Sequence, residues 1–271
     1  MDDEMALQKK LIEKISRNIA EHEAASVVRG SRTYLEIYES VNKTVEYASS
    51  AHKGQWRKSG EPYIFHPLNV ALIAAETGMV DQVSIDSCLL HDVIEDAKVS
   101  REEIAGIFGE EVAETVEGLT KVKEHKDESY DKFFSHTINN PRVAYIKIFD
   151  RLHNLRTLSH LPANKRVRIA GESMDIYHKL CVRLCLLDIA NEIEHLCASH
   201  LYPEKFNSFS ARLEEIQAEA AQVIDIFKMY ILERCYENDV RIKKIRVQWK
   251  PFLNIPDYKF MQIPNVLLFK L

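Results

Sequence analysis

The chain has 271 residues, 46% of them hydrophobic and 28% charged, the balance of a globular protein with a real core and the span of one large or two small domains. Its formal net charge of −5 supplies no basic field for nucleic acid, and no apolar run approaches the ~20 residues that cross a bilayer. The acidic start Met1-Asp2-Asp3-Glu4 lacks the apolar core of an export signal, so a cytoplasmic protein is expected. The five cysteines form no CxxC pair and sit among apolar neighbours, which fits reduced core thiols. Eight Gly and eight Pro are too few for a turn-rich sandwich or barrel.

In chain order, residues 5 to 27 carry Leu7, Leu11, Ile15 and Ile19 at helical spacing, and a second helix is expected over 33 to 51. From His52 to Pro62 the chain is polar and holds Gly54, Ser59 and Gly60, which reads as a loop. Pro67 suits the first turn of a helix through Val70, Leu72, Ile73 and Ala75, and Gly78 is placed to end it. Asp81 fits the N-cap of a helix carrying Val83, Ile85, Cys88, Leu89 and Ile94. Ser100 with Glu103 has the form of a capping box, and a further helix spans about 110 to 119. Residues 123 to 131 are charged without apolar periodicity and are expected to form a mobile loop. Pro141 opens a helix with Val143, Ile146, Phe149 and Leu152, and another covers about 165 to 200, ending before Pro203. Strand-like alternation is confined to Ile245, Val247 and Trp249. The expected fold class is all-α, with one domain over 1–205 and a helical extension and irregular tail over 206–271.

Chemistry concentrates in a few places. His91 and Asp92 sit on the helix expected after Asp81, with Glu95 and Asp96 one turn further. A solvated acidic face is the plainer reading of an isolated His-Asp pair. Here Leu89, Leu90, Val93 and Ile94 interleave with the polar residues, which favours a buried cluster, and buried carboxylates need a counter-charge such as a metal ion. His66 precedes Pro67 at a helix start. Asp150, Asn154 and Thr157 form one polar stripe at i, i+4 and i+7. Two His and two Asp make a mixed nitrogen and oxygen donor set suited to a divalent ion with positions left for water or substrate. The other histidines show no such convergence, and His153 and His178 read as structural or solvent-facing.

The order His66-Pro67, His91-Asp92, Glu95-Asp96, Asp150 resembles the HD metal-dependent phosphohydrolase superfamily. Three blocks narrow the resemblance: His52-Lys53-Gly54-Gln55 continuing through Arg57-Lys58-Ser59-Gly60-Glu61-Pro62-Tyr63-Ile64-Phe65-His66-Pro67, then Leu90 to Asp96, then Ile146 to Leu158. Together they resemble the hydrolase domain of the RelA/SpoT family over about 40 to 200. The resemblance implies an all-α HD fold and removal of the 3′-pyrophosphate of ppGpp and pppGpp, usually with Mn(II). It implies His66, His91, Asp92 and Asp150 as metal ligands, and Glu95 and Asp96 as residues that orient or deprotonate the attacking water. It places Arg57, Lys58, Asn154 and Thr157 against the nucleotide. Arg57 can stack on a purine while Lys58 is better suited to phosphate. Two positions depart from the family pattern: Ala97 where Thr is usual, and Phe149 where a small residue precedes Asp150. No synthetase signature follows in 205 to 271. Arg241, Lys243, Lys244, Arg246 and Lys250, with Trp249, form a basic run that reads first as a solvated or packing tail. Two other readings compete with the alarmone hydrolase: an HD hydrolase of a different nucleotide, and a regulatory domain that binds nucleotide without cleaving it. The expected partner is a small nucleotide, not a membrane or nucleic acid; a homo-oligomer is compatible with the sequence.

Overall fold

The computed structural model describes residues 2–25, 32–124, 140–240, 244–247 and 267–270. The chain divides into two compact units, Met1–Leu161 and Pro162–Leu271.

The first unit contains helices α1 (Asp2–Ala25), α2 (Tyr34–Ala51), α3 (Phe65–Glu76), α4 (Gln82–Leu90), α5 (Val93–Ala97), α6 (Arg101–Phe108), α7 (Glu110–Glu124) and α8 (Pro141–Arg156), followed by a 3-10 turn at Leu158–His160. At its centre is α3, which packs against α1, α4 and α8. All of α3 except Asn69 and Glu76 is buried, as expected of a helix that is apolar all round. Caps set the helix starts. Thr33 and Glu36 make a reciprocal capping box at α2, and Asp81 accepts from the Ser84 N–H at α4. Ser100 caps α6 through the Glu103 N–H, but the Glu103 carboxylate accepts from the Tyr47 hydroxyl at 2.6 Å instead of closing the box. Asn140 caps α8 ahead of Pro141. Phe149, the bulky departure beside Asp150, is fully buried core.

The helix expected from Asp81 through Ile94 is instead two helices. α4 stops at Leu90, His91 and Asp92 form the break, and α5 starts at Val93. The cause is local: His91 Nδ1 lies 2.8 Å from the Cys88 carbonyl oxygen and competes for it with the backbone ladder, and Asp92 takes φ −109° and ψ −1°.

The second unit contains α9 (Ala163–Glu172), a π-helical segment (Ser173–His178), α10 (Lys179–Arg183), α11 (Leu187–Leu201) and α12 (Pro203–Glu237). The continuous helix expected over 165 to 200 is thus interrupted. Cys185 adopts φ 57°, the Leu186 N–H donates to the Cys181 carbonyl and the Cys185 N–H to that of Val182. This is a Schellman ending with cysteine in the place glycine usually takes. Pro203 opens α12, which packs against α11. The tail expected to be irregular contains an antiparallel pair, β1 (Lys244–Val247) with β2 (Leu267–Lys270), in the register Lys244 opposite Lys270 and Val247 opposite Leu267. Residues 125–131 of the expected loop, and Arg241, Lys243, Trp249 and Lys250 of the basic run, lie outside the described residues. Among the described residues no helix is long and apolar enough to cross a membrane.

Candidate metal centre

His66 is the second residue of α3, His91 and Asp92 occupy the α4–α5 break, and Asp150 lies on α8. His66, His91 and Asp92 each bring one donor atom within 4.8 Å of the others, and all three are buried. The imidazole Nε2 atoms lie 3.2 Å apart. Asp92 Oδ2 is 3.0 Å from His91 Nε2 and 3.7 Å from His66 Nε2. Asp150 Oδ1 approaches the same two nitrogens, at 3.1 Å from His66 and 4.0 Å from His91. The four residues expected as ligands therefore meet, contributed by three separate segments of the first unit.

The charge balance of this cluster asks for a cation. Burial disfavours a charged His91, but the carboxylates of Asp92 and Asp150 outweigh it and raise its pKa. Burial dominates at His66 and lowers its pKa. Burial also opposes ionisation of Asp150, yet its hydrogen bond and charge interaction with His66 hold its carboxyl well below the usual range. With its Nδ1 turned to the Cys88 carbonyl, His91 presents Nε2 to the cluster, the orientation a metal ligand needs. Two imidazole nitrogens and two carboxylates fit a divalent transition ion such as Mn(II), Fe(II) or Zn(II).

A second histidine-to-histidine contact was not anticipated. His153, read from sequence as structural or solvent-facing, is buried, and its Nδ1 lies 2.8 Å from His66 Nδ1. Burial, followed by the neighbouring His66 and Arg57, pushes the His153 pKa down to about 3, so its ring is neutral. With His66 Nε2 facing the cluster, His66 Nδ1–H donates to His153 and the ring orientation is fixed. The available signal was position: His153 stands one helical turn after Asp150.

The loop between α2 and α3 supplies the polar surroundings. It folds back on itself through the Trp56–Pro62 bridge, with the Arg57 N–H donating to the Glu61 carbonyl at 2.9 Å and Gly60 at φ 88°. The fold-back carries the Arg57 guanidinium to Asn154 Oδ1 at 2.8 Å and Thr157 Oγ1 at 3.3 Å. Asn154 in turn donates to Asp150 Oδ1 at 2.6 Å. Three residues expected to face the nucleotide are thus joined to one another and to Asp150; Lys58 is exposed. Asp96 and Glu95 are exposed on α5. The Tyr63 hydroxyl, absent from the sequence-based site, lies 2.6 Å from Asp92 Oδ2 and 3.0 Å from Asp96 Oδ2. Burial and the Asp92 charge keep that phenol protonated.

The model of the HD domain family matches residues 44–186, which span α2 to the α10–α11 junction and include every residue of this site. The chain belongs to the HD domain family. The described residues of the matched stretch have the all-α fold of that domain, and the two described strands fall beyond it. Among curated relatives, guanosine-3′,5′-bis(diphosphate) 3′-pyrophosphohydrolase of Aquifex aeolicus is 44% identical over 178 residues, 64% of this chain and 25% of that protein. GTP pyrophosphokinase of Myxococcus xanthus is 35% identical over 248 residues, 85% of this chain and 32% of that protein. Guanosine-3′,5′-bis(diphosphate) 3′-pyrophosphohydrolase of Borreliella burgdorferi is 33% identical over 233 residues, 82% of this chain and 35% of that protein. This HD domain matches from 25% to 35% of the length of these relatives, and its motifs resemble those of RelA/SpoT hydrolase domains.

Proposed function

We propose that this HD domain hydrolyses ppGpp and pppGpp at the 3′ position, adding water and releasing pyrophosphate with GDP or GTP. The observation that carries the reading is the chain Arg57–Asn154–Asp150, which joins a residue suited to a purine base to the metal-ligand cluster over two short hydrogen bonds. Two curated relatives named for this reaction support it. His66, His91, Asp92 and Asp150 would hold the ion, Mn(II) by family resemblance. When bound, such an ion acidifies water and offsets charge on the scissile phosphate. The protein's own residues do the rest. Cys88 and His153 orient the two imidazoles so that Nε2 faces the cluster. Glu95 and Asp96, one turn past the break, accept the proton that the attacking water loses. Arg57 stacks on the base, held in place by Asn154 and Thr157, and Lys58 faces the phosphates.

A panel of nucleotides tests the substrate. Release of pyrophosphate from ppGpp is expected, with Arg57→Ala raising KM and leaving metal content unchanged. Turnover confined to another nucleotide, or ppGpp bound without pyrophosphate release, would overturn the assignment in favour of one of its two competitors.

A further inference from the structure

The α4–α5 break leaves Asp92 in an unusual position. It is the N-cap residue of α5, and aspartate is among the best residues for turning back to cap a helix. Yet its side chain makes no cap hydrogen bond. Its Oδ2 instead faces the imidazoles, 3.0 Å from His91 Nε2 and 3.7 Å from His66 Nε2, and the same oxygen accepts from the Tyr63 hydroxyl at 2.6 Å, the short distance of a charge-assisted bond. The hydroxyl also lies 3.0 Å from Asp96 Oδ2. One phenol oxygen therefore contacts a ligand carboxylate and a carboxylate expected to work on the attacking water. The loop grips α5 a second time at the same residue, because Gln55 Nε2 donates to the Asp96 carbonyl at 2.8 Å. The Tyr63 ring itself is wedged, 4.7 Å from the His52 ring and edge-on to His66 at 5.8 Å.

We propose that Tyr63 is a positioning residue whose hydroxyl draws Asp92 away from capping α5 and toward the imidazoles, and holds Asp96 beside it. The part concerning Asp96 rests on the hydrolase reading above; the part concerning Asp92 needs only the metal centre. The hydroxyl links the two functions of the site, so that the loop carrying Arg57 also sets the geometry of both carboxylates.

Tyr63→Phe keeps the wedged ring and removes only the hydroxyl. Titration of the purified variant with Mn(II) alone should show a dissociation constant about 10- to 100-fold weaker than wild type, the usual effect of losing a partner behind a metal ligand. The kcat for ppGpp should fall by about tenfold or more at saturating Mn(II) with KM unchanged, and Tyr63→Phe combined with Asp96→Asn should lose less than the product of the single losses. A lowered thermal midpoint with unchanged Mn(II) affinity and kcat would make the hydroxyl merely structural and overturn the proposal, as would a variant indistinguishable from wild type. Weaker Mn(II) binding in a protein whose wild type leaves ppGpp intact would sustain the Asp92 role and remove the hydrolase reading and the Asp96 role with it.

Discussion

Within residues 1–161, α3 is buried on nearly all sides, and every residue assigned to the metal centre lies in this unit. Within residues 162–271, α12 runs for 35 residues with only Phe209 and Ile231 buried, while Val223, Ile226 and Met229 are more than 60% exposed. The two units have comparable apolar material and use it differently. Bringing two imidazoles and two carboxylates together away from water carries a desolvation cost, and only a surrounding core keeps those groups aimed at one another once they are there. The first unit has that core. The second has a long helix whose C-terminal half is apolar on faces its own unit leaves open.

The largest effects should come from the cluster itself. Asp150→Ala or His91→Ala should abolish both bound metal and turnover, checked by elemental analysis beside a pyrophosphate assay, with helical content retained. Next come the packing residues around it. Leu89→Ala, one residue before the end of α4 and fully buried, should destabilise by about 2–5 kcal/mol in denaturant unfolding. Glu95→Gln keeps the shape of the side chain and removes a base, so kcat should drop by about 10²-fold with metal content and KM little changed.

The pH dependence has a definite sign. His91 titrates above its usual range, and a protonated ring cannot bind metal. Metal affinity should therefore be full above the raised pKa and fall by about tenfold per pH unit below it, measured by Mn(II) titration at constant ionic strength. Without metal the sign reverses: protonated His91, paired with Asp92 and Asp150, stabilises the folded protein at low pH, and that contribution is lost as pH rises through the raised pKa. The smallest effect belongs to the second unit, where Ile226→Ala should change unfolding free energy by no more than about 0.5 kcal/mol. A large loss there would show that α12 is covered in solution and erase the contrast between the units.

Much of the first unit was legible in the sequence, and the gaps have physical causes. Gly78 and Cys185 end helices by the same motif, each in the left-handed region and each followed by a donor to a carbonyl five residues back. Glycine announces that conformation; cysteine does not, so only the first ending was foreseen. The His91–Asp92 break was hidden because Leu89, Leu90, Val93 and Ile94 keep helix-like apolar spacing across it, and the carbonyl competition that causes it needs coordinates to be seen. His66, His91, Asp92 and Asp150 could be singled out from the order of their motifs, which resembles a known family, and the structure brings the four together. His153, one helical turn after Asp150, and Tyr63, three residues before His66, were passed over because each acts through another side chain, and only the folded contacts show which one. The pairing of β1 with β2 was half visible: alternation marked Ile245 and Val247, while Leu267–Lys270 carries no alternation to read.

The central claim is that the cluster of buried His66, His91 and Asp92 with half-buried Asp150 performs divalent-metal hydrolysis of ppGpp. Its most direct test is one assay of the purified chain with ppGpp, run after exhaustive chelation and again after Mn(II) is restored. The account predicts no product in the chelated protein and stoichiometric GDP and pyrophosphate once Mn(II) returns. Full turnover in the chelated protein, or none after Mn(II) is restored, would contradict it.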